Sequence, residues 1–75
     1  MTPGATRLEA FIGSRGIKPA HLARESRYSR QHLVRIRMGR SHPTAAGIAR
    51  IVAACRRLSG EDVRAADLFD LGEQS

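Results

Sequence analysis

Only one cysteine, Cys55, occurs in 75 residues. No internal disulfide can form, so the core must hold the fold unaided. A lone thiol in a small unstapled domain suits a reducing compartment, and a cytoplasmic location is expected. Tryptophan is absent, and Phe11, Tyr28 and Phe69 are the only aromatic residues. That leaves too few flat side chains for the stacking platforms of RNA and single-strand binders. Apolar runs last a few residues at most, which excludes a membrane-spanning helix. The start, MTPGATRLEAF, has no basic segment followed by an apolar one, so no secretory signal is expected. Strict alternation is missing and β-branched residues are few, so no strand is expected. No acid, base and nucleophile are arranged as a catalytic set, and so short a chain leaves little room for a substrate pocket, so the protein is not expected to be an enzyme. His21, His32 and His42 lack Cys, Asp or Glu companions at metal-ligand spacing, and neither a metal nor another cofactor is expected.

What the chain does have is arginine. Twelve Arg and one Lys face seven acids, for a net charge of +6 and a pI of about 11.3. Such a balance points to a polyanionic partner. The distribution is uneven. Between Arg15 and Arg40 eight basic residues meet one acid, Glu25, giving +7. Beyond residue 58 a single Arg meets five acids, giving −4. One region is strongly positive and the C-terminal end is not.

The length allows one small domain. Residues 1–5 read as a loose arm, 6–71 as the domain and 72–75 as a tail. Thr6-Arg7-Leu8-Glu9 has the form of a capping box, with Glu9 reaching back, and opens a helix over 7–15 that buries Leu8, Phe11 and Ile12. Gly16 supplies a left-handed stop. Pro19 suits a first helical position, and a second helix spans 19–26 with Leu22 and Ala23 inward. Arg27 and Tyr28 make a short turn. Ser29 caps a third helix over 30–38, ended by Gly39. On a helical wheel Leu33 and Ile36 share one narrow face, and Gln31, Val34, Arg35 and Met38 lie opposite, with Arg30 and Arg37 on the flanks. Thr44 follows Pro43 and opens a fourth helix over 45–58, whose apolar stripe is Ile48, Ile51, Val52, Cys55 and Leu58. Ser59-Gly60 breaks it. VRAADLF, 63–69, makes a short fifth helix that buries Val63, Leu68 and Phe69, while Asp67 and Asp70 face solvent. The expected fold class is all-α, five short helices around one core.

In this order and spacing, "LA" at 22–23, "SR" at 29–30, "L..I" at 33 and 36, Gly39, Pro43, the fourth-helix stripe and "V....LF" at 63–69 resemble the Cro/CI-type helix-turn-helix family, the phage-repressor-like or XRE-type regulators. The resemblance runs from Leu8 to Phe69. It implies a compact five-helix DNA-binding domain in which Ala23 lets the second and third helices approach closely. It also implies that the helix after Ser29 enters the major groove, that Arg30, Gln31 and Arg35 read bases, and that Ser29 and Arg40 hold the backbone. Two positions depart from the family pattern: Pro19 replaces the usual glutamine, and Arg27 replaces the glycine of the turn. The link before VRAADLF is also longer than the family's short form.

The residue chemistry agrees with this. Arginine pairs with guanine O6/N7 and glutamine with adenine N6/N7, and Val34 offers an apolar contact to a thymine methyl. Arg37 and Lys18 are further candidates for backbone contacts. The expected function is sequence-specific binding of double-stranded DNA as a repressor-like transcriptional regulator, with a homodimer formed on DNA. Leu68, Phe69 and Leu71 either close the core or pair two copies. A different class of function, a protein-interaction module such as an antitoxin with a small basic protein partner, would use the acidic residues Asp67, Asp70 and Glu73.

Overall fold

The structure, a computed structural model, describes residues 6–69. They form five helices in the order α1 (Arg7–Ser14), α2 (Pro19–Ser26), α3 (Arg30–Arg37), α4 (Ala45–Ser59) and α5 (Ala65–Leu68), and no strand occurs among them. The arm 1–5, the tail 72–75, Asp70 and Leu71 lie outside the described residues.

Three helices start on a hydroxyl. Thr6, Ser29 and Thr44 each accept the backbone N–H three residues on, at 3.1 Å, which satisfies one of the unpaired donors of a first turn. α2 starts instead with Pro19, and its Lys18 cap makes no side-chain bond. The capping box at α1 is only half formed. Thr6 caps as expected, but the Glu9 carboxylate turns away to Arg37 rather than back to Thr6.

The stops after α2 and α3 share a geometry. Tyr28 N–H reaches Ala23 O at 3.1 Å, and Arg40 N–H reaches Arg35 O at 2.8 Å. Each bond closes a Schellman turn, which needs a left-handed residue just before the donor. After α3 that residue is Gly39, φ 77°. After α2 it is Arg27, φ 65°, which is the sole non-glycine with positive φ among the described residues. A side chain there costs on the order of 1–2 kcal/mol. Met38 caps α3 and is half-buried, so the helix ends one residue earlier than its periodicity suggests.

The core gathers one face of each helix. Leu8, Phe11 and Ile12 come from α1, Leu22 and Ala23 from α2, and Leu33 and Ile36 from α3. Ile51, Val52, Ala54 and Cys55 come from α4, and Val63 and Leu68 close the C-terminal end. Ile48, Leu58 and Phe69 pack partly buried against this cluster. α5 is shorter than VRAADLF, because Arg64 precedes it in extended backbone and Asp67 accepts the Arg64 N–H at 2.9 Å. Asp67 is exposed as expected. Burial pushes the Cys55 thiol up to about 11, so it stays protonated and unreactive at neutral pH. No helix among the described residues is long and apolar enough to cross a membrane.

Candidate nucleic-acid interface

With Leu33 and Ile36 buried, the rest of α3 is left outside. Arg30, Gln31, His32, Val34 and Arg35 are all exposed. Val34, at 46%, is the large apolar side chain that stands out in solvent among the described residues. Ser29 sits exposed at the cap, and its hydroxyl, having accepted His32 N–H, still has its own proton to donate. Arg40 is exposed in the turn after α3, and Lys18 is exposed at the start of α2. The structure brings two of these regions together: Pro19 and the first turns of α3 line one shallow depression with Arg30, Leu33, Val34 and Arg37.

Lys18, Arg24, Arg27, Arg30, Arg35 and Arg40 make no side-chain hydrogen bond or ion pair with another described residue. No acid occurs between Glu25 and Glu61, so Arg27, Arg30, Arg35 and Arg40 have no carboxylate near them in the stretch that carries them.

Arg37, expected at the DNA backbone, is engaged inside the molecule. Its guanidinium binds Glu9 in a bidentate way, at 2.6 and 3.0 Å. The Arg37 side chain is 15% exposed and Glu9 30%. The Arg37 carbonyl also accepts from the Thr6 hydroxyl at 2.8 Å. A fork-to-fork pair in this half-buried position is directional and strong. Arg37 therefore fastens the end of α3 to the start of α1.

The other end of α3 is held through Tyr28. Its ring lies under the Arg50 guanidinium, 4.8 Å from the centroid, and meets His32 edge-on at 4.8 Å. Arg50 Nε donates to Ser26 O at 2.9 Å, gripping the last residue of α2. The Tyr28 hydroxyl lies against Gly47 so closely that a Cβ there would overlap it; the same Cβ would stand 3.0 Å from the Tyr28 ring and 3.3 Å from Pro43. Reading the sequence by helix periodicity misses Tyr28, Gly47 and Arg50. One signal was present: a glycine inside a helical pattern marks a close approach. Two anchors, Arg37 and Tyr28, thus fix α3 at both ends while its outer face stays open.

Among the described residues no three His, Cys, Asp or Glu side chains converge on a common point. No family model matches the chain, and no curated protein or solved structure matches it either.

Proposed function

We propose that the protein binds double-stranded DNA in a sequence-specific way and acts as a repressor-like transcriptional regulator. In this reading α2 and α3 are a helix-turn-helix of the Cro/CI type, and α3 enters the major groove. Arg30, Gln31, Val34 and Arg35 meet base edges. Ser29, Arg40 and Lys18 bind the phosphate backbone. The observation that carries the reading is the open outer face of α3, with unpaired guanidinium groups on a helix fastened at both ends. A rigid helix that presents donors is what direct readout of a groove about 12 Å wide requires. Phosphates supply the acceptors that the acid-free stretch from 26 to 60 lacks.

Two copies fit the geometry of a duplex. The described domain measures 31 × 23 × 23 Å. Neighbouring half-sites on one face of B-DNA are about 34 Å apart, so two domains can sit side by side as a dimer on DNA. The competing reading, an antitoxin-like module for a small basic protein, draws on the acidic C-terminal end. Asp67 is already used to cap α5. Asp70 and Glu73 lie outside the described residues.

Selection from a randomised duplex pool at physiological salt tests the proposal. An enriched motif with two inverted half-sites about one helical turn apart is the expected result. Binding without enrichment that vanishes as salt rises would overturn sequence-specific recognition.

A further inference from the structure

Left-handed backbone occurs among the described residues at Gly16, Gly39, Gly60 and Arg27. Arg27 and Gly39 close the same kind of turn, so a glycine at 27 would serve the fold without a side-chain penalty. The Arg27 side chain is held against a backbone preference. Strain of that kind collects at positions that do something beyond folding.

The side chain gives nothing back to the domain. It is exposed and makes no hydrogen bond, ion pair or ring contact with a described residue. Glu25, the acid that precedes it in sequence, is bound by Arg57 at 3.0 Å. Arg24, in the last turn of α2, is exposed and without a side-chain partner as well. The backbone is fixed on both sides of Arg27. Ser26 is fully buried, and its carbonyl accepts from Arg50 at 2.9 Å. Tyr28 N–H is bound to Ala23 O, and its ring lies under the Arg50 guanidinium. A cation is thus presented from a pinned turn, against the backbone preference, with no acceptor inside the domain. Ser29, the cap of α3, follows two residues on, at most about 7–8 Å away between Cα atoms.

We infer that Arg27, with Arg24 beside it, binds a backbone phosphate of the duplex at the edge of the α3 contact, and that the turn is less stable than it could be because of that contact. The inference rests on the DNA reading above. It adds a contact that a glycine in the turn could not make. A phosphate suits the position because it takes two donors of one guanidinium at once and is present whatever the base sequence.

The test compares the parent with Arg27→Gly and Arg27→Lys in thermal melting and in duplex binding over a range of salt. The duplex is one enriched by selection or, where none is enriched, one of random sequence. Arg27→Gly should melt higher than the parent and yet bind about fivefold more weakly, the effect of one lost hydrogen-bonded contact. Its slope of log affinity against log salt should fall by about one unit. Arg27→Lys keeps the cation and should keep the parent's slope, which separates charge from turn shape. Arg24→Ala, which leaves the turn alone, should lower the slope as well. An affinity and slope in Arg27→Gly equal to the parent's, or a lower slope that Arg27→Lys shares, would overturn the inference while the DNA reading stands. If the parent binds no duplex, both fall together.

Discussion

Eleven of the twelve arginines of this protein fall into two populations. Arg7, Arg15, Arg37, Arg50, Arg56 and Arg57 are engaged inside the molecule. Arg15 lies over Phe11 and binds Glu61, whose carboxyl it holds below its ordinary range. Arg56 donates to Val63 O, and Arg57 binds Glu25. Arg24, Arg27, Arg30, Arg35 and Arg40 have no such partner among the described residues. The side-chain chemistry is identical in both groups. What differs is the supply of acceptors: carbonyls at helix ends and the few carboxylates are within reach of the first group and out of reach of the second. Net charge alone would treat all of these arginines as equivalent. The structure separates those that build the scaffold from those left to meet something else.

Four sets of substitutions would sharpen or break this division. The largest effect is expected at Gly47. Gly47→Ala must displace the Tyr28 ring and with it the Arg50 contact, at a cost of about 2 kcal/mol, as for other overpacked sites. Thermal melting would show it, and an unchanged melting temperature would mean that the Tyr28 anchor is not rigid. Next is Glu9→Ala, which strands the half-buried Arg37. A loss of about 1–2 kcal/mol is expected in urea unfolding. The double variant Glu9→Ala with Arg37→Ala should recover part of that loss, because no unpaired charge remains. Third, Arg27→Gly relieves the left-handed backbone and should raise stability by about 1 kcal/mol, or roughly 4–8 °C in Tm for a domain of this size. A lower melting temperature would contradict the turn geometry. The smallest effect on stability belongs to the free group. Arg30→Ala, Arg35→Ala and Arg40→Ala should each stay within about 0.5 kcal/mol of the parent. A larger loss in any of them would move that residue into the scaffold population.

Much of this could be read from local pattern. Caps at Thr6, Ser29 and Thr44, the glycine stop after α3 and the burial of Leu33 and Ile36 follow from spacing, because a helix repeats every 3.6 residues and its ends need particular side chains. The exposure of Arg30, Gln31, Val34 and Arg35 follows from the same wheel. The pairing of side chains could not be read this way. Arg37 and Glu9 are 28 residues apart, and Arg50 and Ser26 are 24 apart. Nothing in the local run around Arg37 distinguishes it from Arg35, two residues earlier. Its partner is chosen by how α1 and α3 pack, which no local pattern around Arg37 records. The placement of Pro19 was hidden for a similar reason: sequence shows a good first helical residue, and only packing places it beside Val34.

The division between the two arginine groups is tested most directly by the salt dependence of duplex binding in three proteins: the parent, Arg40→Ala and Arg57→Ala. Removing one side chain that binds a phosphate should reduce the slope of log affinity against log salt by about one unit. If the division holds, the slope is reduced for Arg40→Ala and unchanged for Arg57→Ala, whose guanidinium is held by Glu25. Equal reductions in both variants would contradict it, for then only total charge is being sensed and the open face of α3 has no special part in binding.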